Sequence, residues 1–207
     1  MKKIILFSLL VLFVFASTTV YAAEKYSLGA SHVALKVDYI YFVEDVFRAD
    51  MKDGVYVGLE AYYGILPNIY LGMESGYATA GNKDKVNFEG DKIWVHVDTD
   101  FVPIELNLKY VIEATPSFLI SVGGGASYSW LKVRAKSSAI GLKVTNDDFI
   151  WGGQLFADLT YKMSDQWFIG LNGKYQFTED MTIKVGDFKS SAKANNWRGG
   201  AQVGLIF

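Results

Sequence analysis

The chain has no cysteine, which excludes disulfides, thiolate metal sites and a lipid-modified cysteine. Histidine is nearly absent too: only His32 and His96 occur, a thin inventory for general acid–base or nucleophilic chemistry. Proline accounts for three of 207 residues, so few points forbid regular pairing. Neither charge sign dominates. The formal net charge is -2, with no basic stripe of the kind nucleic acid attracts. Beyond the first 22 residues, no apolar run approaches the length of a spanning helix.

One apolar run does stand at the start. Met1-Lys2-Lys3 is a basic n-region, Ile4 to Ala16 is an apolar h-region, and Val20-Tyr21-Ala22 supplies a cleavage site. Residues 1–22 are expected to be a secretory signal peptide, cut after Ala22 or after Ala23. A retained anchor would need a longer core and a stop-transfer charge cluster where Ser17-Thr18-Thr19 stands. Cleavage removes Lys2 and Lys3 and takes the charge from -2 to -4. Residues 23–207 then form one domain with no linker-like stretch.

What fills that domain is aromatic residues and glycine: 13 Tyr, 14 Phe, 5 Trp and 20 Gly, arranged without helix periodicity. In the last eleven residues Trp197, Gly199, Ala201, Val203, Leu205 and Phe207 share one face, and Arg198, Gly200, Gln202, Gly204 and Ile206 the other. That is a period-2 strand of the length a tilted strand needs to cross a hydrocarbon core. Seven more strands are expected at Tyr26–Val37, Gly54–Tyr63, Ile69–Ala78, Ile93–Ile112, Phe118–Arg134, Phe149–Tyr161 and Trp167–Phe177. Short links near Ile65–Asn68, Glu113–Ser117 and Lys162–Gln166 alternate with long polar ones near Asp38–Asp53, Thr79–Lys92, Ala135–Asp148 and Thr178–Asn196. The fold class is all-β: an eight-stranded antiparallel up-and-down transmembrane barrel with short periplasmic turns and four long extracellular loops. Two irregularities are expected. Parity changes within the first strand, calling for a bulge near Ser31-His32, and Pro103 calls for a bulge or an end of regular pairing.

The apolar faces carry residues such as Val55, Val57, Leu59, Leu71, Leu155, Leu159, Ile169 and Leu171. The opposite faces carry a charge network of Glu60, Glu74, Glu105 and Asp158 with Lys36, Lys109, Lys174 and Arg198. An eight-stranded interior is filled by side chains, so these charges are expected to pair into a polar core. Aromatic girdles are expected at Trp94, Trp130, Trp151 and Trp197 on one rim and at Tyr63, Tyr110, Tyr161 and Trp167 on the other. A soluble lipocalin-like barrel would show the inverse, an apolar interior and a polar wall.

With these patterns the chain resembles the superfamily of small outer-membrane β-barrels that includes the OmpA transmembrane domain, OmpX and OmpW. The stretches Val97–Tyr110 and Ser121–Tyr128 carry the resemblance in their glycines and aromatics. The last strand, with Gly200, Val203, Leu205 and Phe207, resembles the C-terminal signal read by the barrel-assembly machinery. The resemblance implies the outer membrane of a Gram-negative-type bacterium. It also implies lipopolysaccharide and outer-membrane lipids as surroundings, and periplasmic chaperones during biogenesis. A tethering role through a peptidoglycan-binding domain is not carried over.

No enzyme is expected, and no cofactor or metal. His96 shares strand parity with Asp98 and Asp100 but sits in no lipid-A-modifying motif, and His32 reads as a lumen residue. Asp98-Thr-Asp100 and Asn146-Asp-Asp148 lack the ligand number that calcium needs. Tyr39–Val43 with Val46-Phe47 reads as an extension of strand one, or as an apolar recognition surface. Lys83, Lys85, Lys92, Lys132, Lys136 and Lys143 could meet lipopolysaccharide phosphates. The functional expectation is a structural or interaction barrel whose loops reach an extracellular ligand. The alternatives are a narrow channel or lateral-exit conduit for small, including hydrophobic, molecules and, at a distance, a lipid A-modifying enzyme.

Overall fold

The computed structural model describes residues 27–43, 53–88, 91–137, 142–185 and 188–207. Eight long strands close into one antiparallel barrel: β1 (Ser31–Phe42), β2 (Asp53–Leu66), β3 (Ile69–Phe88), β4 (Asp91–Glu113), β5 (Phe118–Ser137), β6 (Leu142–Lys162), β7 (Trp167–Thr178) and β10 (Asn196–Ile206). Each pairs with its sequence neighbour, and β1 pairs with β10 from His32↔Ile206 to Phe42↔Asn196. Closure removes every strand edge, so no backbone polar row in the wall is left to face hydrocarbon.

Between β7 and β10 the chain adds a small hairpin, β8 (Asp180–Val185) with β9 (Phe188–Lys193). The polar composition of 178–196 predicts only a long link. The other long links are corrected in the same sense, because β3 and β4 stay paired as far as Phe88↔Asp91 and β5 and β6 as far as Ser137↔Leu142. Beyond the membrane both faces of a strand can be polar. Apolar alternation is then lost although the hydrogen-bond ladder continues. Val46 and Phe47 lie outside the described residues. Strand β1 does extend through Phe42, whose ring meets Phe101 edge-on at 5.9 Å.

The expected bulge at Ser31-His32 is absent. The β1–β2 register is constant from Ser31↔Tyr63 to Tyr41↔Asp53. The parity changes because residues 27–30 are not strand: Gly29, with φ 68°, turns the chain and Leu28 folds inward to full burial. Pro103 causes no bulge either. Its ladder with β5 runs through Pro103↔Ser129, and the β3 ladder skips Gly76 and Tyr77, then resumes in the same register. Proline has no N–H to donate, and the Ser75 hydroxyl instead donates to the Pro103 carbonyl at 2.9 Å. A register shift does occur between Gly64 and Leu66, beside the turn in which Asn68 takes φ 64°.

The wall is apolar. Leu35, Val37, Val57, Leu106, Leu108, Leu155 and Leu171 face outward and are exposed. A surface of this kind is far larger than a soluble protein tolerates and is matched to lipid. Of the girdle residues, Trp151, Trp167, Trp197, Tyr63, Tyr110 and Tyr161 are exposed on this face. Trp130 is a correction: it lies outward by parity but is only 9% exposed, between Val102 and Phe149. The side chain of Trp94 lies outside the described residues.

Candidate functional site: the barrel interior

Period-2 alternation turns every second side chain of eight strands into a lumen barely wide enough to hold them. Lys36 from β1, Glu60 from β2, Glu74 from β3, Glu105 and Lys109 from β4, Asp158 from β6, Lys174 from β7 and Arg198 from β10 meet there. Each is at most 3% exposed.

Their pairing is branched. Glu74 takes Lys36 at 3.1 Å, Lys174 at 2.6 Å and Arg198 at 3.3 Å, and accepts the Tyr56 hydroxyl at 3.0 Å. Glu105 binds Lys174 and Arg198. Glu60 is shared by Lys36 and Lys109, both at 3.3 Å, and Lys109 continues to Asp158 at 3.2 Å. Withdrawing charges from water in this way is costly unless each has an opposite partner within reach. Asp38 joins them as a fifth acid, 3% exposed and accepting from Asn172 Nδ2 at 3.0 Å. The sequence pattern places it at the start of the long link Asp38–Asp53, yet it shares parity with Lys36, and that parity is the signal of its inward face.

Neutral polar groups extend the layer. Gln154 donates to Asn107 at 2.7 Å, and Gln176 donates to Ser127 at 2.8 Å and Ser129 at 3.2 Å. Gln202 is also buried.

The interior is nevertheless not polar throughout, which corrects the sequence reading. At the long-link end Ile40, Phe42, Tyr56, Ala78, Ala80, Phe101, Leu131 and Ile150 form an apolar cluster with Met181 and Ala194. At the short-link end Leu28, Ala34, Tyr62, Tyr70, Val111, Leu119, Phe156, Phe168 and Ile206 form a second. The charge layer lies between them. Ring faces join the layers: Arg198 lies 4.6 Å from the Tyr56 ring, Lys109 3.8 Å from that of Tyr62 and Lys174 5.4 Å from that of Phe156. These inward aromatics occupy the space over inward glycines. A Cβ at Gly72 would meet the Tyr62 ring at 2.2 Å, and one at Gly204 the Phe168 ring at 2.2 Å. The glycines make room for rings more than for charged chains.

Both ends are pinned by hydrogen bonds. The Val43 N–H donates to Asn195 O, Thr178 N–H to Asn195 Oδ1 and Ala194 N–H to Thr178 Oγ1, which hold the hairpin base against the barrel. At the other end Ala30 and Ser31 N–H both donate to the Phe207 carbonyl, and the Tyr70 hydroxyl donates to Gly29 O.

His32 gains no catalytic setting among the described residues. His32 is fully buried, stacked on Tyr62 at 5.2 Å with Tyr70 and Phe168 edge-on, and neither ring nitrogen has a hydrogen-bond partner. His96 sits in β4 opposite Lys83 and Lys136, and its side chain lies outside the described residues. Asp100 pairs with Arg134 at 2.9 Å and accepts the Tyr77 hydroxyl at 2.6 Å.

A closed eight-stranded antiparallel barrel with a lipid-matched wall and a buried charge network defines a small transmembrane barrel of the outer-membrane type. The model of the outer membrane protein beta-barrel domain matches residues 7–207, and the chain belongs to that family. Among solved structures it is similar to OprG from Pseudomonas aeruginosa (14% identity, TM-score 0.58, covering 86% of this chain and 96% of that one). It is also similar to Neisserial surface protein A, NspA (13%, 0.57, 86% and 98%). A third is Ail of Yersinia pestis in complex with the heparin analogue sucrose octasulfate (14%, 0.52, 84% and 97%). At these identities the likeness is one of fold. No curated protein matches the chain.

Proposed function

We propose that the protein is a non-enzymatic barrel with a structural and interaction role, its lumen sealed and its long-link end presented to the exterior. The observation that carries this reading is the interior sandwich of apolar cluster, branched ion-pair layer and apolar cluster, with charged side chains at most 3% exposed. A permeating ion would have to displace a paired charge and cross two apolar plugs, each step costing several kcal/mol.

The setting belongs to the same proposal. Residues 1–22 act as the leader and 23–207 as the mature barrel of a Gram-negative-type outer membrane. Its lipids and lipopolysaccharide are the standing partners. Periplasmic chaperones and the assembly machinery handle the chain in transit, reading Gly200, Val203, Leu205 and Phe207. The short links then lie in the periplasm and the projecting strands outside.

Planar-bilayer recording of the refolded barrel, with a solute-swelling assay in liposomes, tests the sealed lumen. No steady conductance and no solute entry are expected. A reproducible ohmic conductance would sink the reading in favour of a conduit.

A further inference from the structure

The charges of the interior do not balance. Among the described residues Asp38, Glu60, Glu74, Glu105 and Asp158 are buried in the lumen against Lys36, Lys109, Lys174 and Arg198, five acids to four bases. His32 does not supply the missing positive charge, because a buried imidazolium needs acceptors at both nitrogens and neither has one. One negative charge is left over where an uncompensated charge is costly.

The surplus is not spread evenly. Glu60, Glu74 and Glu105 each meet at least two cations. Asp158 meets only Lys109, which it shares with Glu60, and neither of its oxygens has a hydrogen bond. Asp38 has no ion pair among the described residues, and its one hydrogen bond comes from Asn172 Nδ2 at 3.0 Å. Register joins the two acids. Asp38 is opposite Gly200, Gly200 opposite Asn172, Asn172 opposite Asp158, and Asp158 opposite Ser121.

Two glycines let the side chains converge. A Cβ at Gly200 would lie 2.5 Å from Asp38 Oδ1, so this carboxylate reaches across β10 to Asn172 on β7. A Cβ at Gly170 would lie 2.9 Å from Gln202 Nε2, so the Gln202 amide lies over β7, one inward position from Asn172. Five buried oxygens along this path have no partner: both of Asp158, Asn172 Oδ1, Gln202 Oε1 and Ser121 Oγ. Their residues are at most 8% exposed. All but the Ser121 hydroxyl are obligate acceptors.

We propose that Asp38, Asn172, Asp158 and Gln202 hold one monovalent alkali cation inside the barrel, with Ser121 completing the shell. Carboxylate and amide oxygens are the ligands a hard cation takes. A single positive charge balances the layer. A divalent ion would overcharge it beside Lys109, which lies 3.2 Å from Asp158, and no group of three His, Asp or Glu set to hold one occurs among the described residues. Buried water would satisfy the oxygens and leave the charge. A proton would remove the charge but serve one acceptor and leave the other oxygens bare.

The test refolds the full-length chain into phosphatidylcholine vesicles in sodium, potassium or choline chloride, at equal ionic strength and neutral pH, and unfolds it in urea. Choline, a bulky organic cation, matches the screening without entering the site. At an alkali concentration ten times the dissociation constant, the unfolding equilibrium constant should be about tenfold smaller than in choline. D38N keeps an acceptor for Asn172 and removes the surplus charge. It should be no less stable than the wild type in choline and should lose the response to alkali ions. Equal wild-type stability in all three salts overturns the proposal, and a stability that moves with pH alone would assign the charge to a proton instead. A response that survives in D38N also overturns it, as does a D38N barrel less stable than the wild type in choline, whose carboxylate would then be compensated without an ion. Should D38N fail to refold, wild-type crystals grown with thallium(I) decide: an anomalous peak among Asp38, Asn172, Asp158 and Gln202 is expected, and its absence overturns the site.

Discussion

Replacing Glu74 by alanine should be the most damaging single change in the charge layer. Its carboxylate faces Lys36, Lys174 and Arg198 within 3.3 Å and accepts the Tyr56 hydroxyl, so its removal affects three buried cations and a buried hydroxyl together. Each cation keeps one partner: Glu60 for Lys36, and Glu105 for both Lys174 and Arg198. Breaking a buried pair from one side costs about 3–5 kcal/mol, and the expected loss lies in that range. Asp158→Ala removes a single ion-pair partner, that of Lys109, which retains Glu60. Neither Asp158 oxygen has a hydrogen-bond partner, so only an ion-pair contact is lost and this variant should lose less. Urea unfolding in lipid vesicles, followed by tryptophan emission, compares them, because Trp151, Trp167 and Trp197 leave lipid on unfolding. Lys174→Met added to Glu74→Ala should restore part of the loss, with a coupling of about 1–3 kcal/mol. If Asp158→Ala proves as costly as Glu74→Ala, or the double variant is strictly additive, the branched network is not what holds the layer together.

Other sites separate packing from assembly. Gly200→Ala places a Cβ 2.1 Å from the Val37 carbonyl across the closing seam, a clash with backbone, and should cost about 1–3 kcal/mol; an unchanged urea midpoint would contradict it. Phe207→Ala keeps the backbone bonds to Ala30 and Ser31 and exposes little new surface, so in-vitro stability should barely change while yield in the outer membrane falls. Equal yields in cells would remove Phe207 from the assembly signal. His32→Phe replaces two unpartnered buried ring nitrogens within an aromatic cage and should leave stability unchanged or raise it; a loss above about 2 kcal/mol would reveal a polar partner for that ring.

Much of the barrel is legible in residue order because a strand has one rule, alternation, and a membrane enforces it. Outside must be apolar, so inside receives whatever is charged, and Lys36, Glu60, Glu74 and Arg198 declare their face without any knowledge of their neighbours. The same rule fails where its cause stops. Beyond Ala78, β3 continues to Phe88 through Gly81-Asn-Lys-Asp-Lys85, which has no apolar face to mark it. In Ser27–Ala30 the chain is not a strand at all, and its parity carries no meaning.

By itself, then, the sequence determined the class, the faces of the regular strands and every member of the charge network but Asp38, since each follows from local periodicity and solvent. Tertiary structure alone decided who pairs with whom. Glu74 and Lys174 are a hundred residues apart, and only the closed register brings them to 2.6 Å. It also decided that Tyr56, Phe101, Tyr62 and Phe168, sharing parity with the charges, gather at opposite ends and enclose the polar layer. Height along a tilted strand sorts residues of one face into apolar and ionic levels. Height is a property of the assembled cylinder, set by strand stagger and not by any single strand.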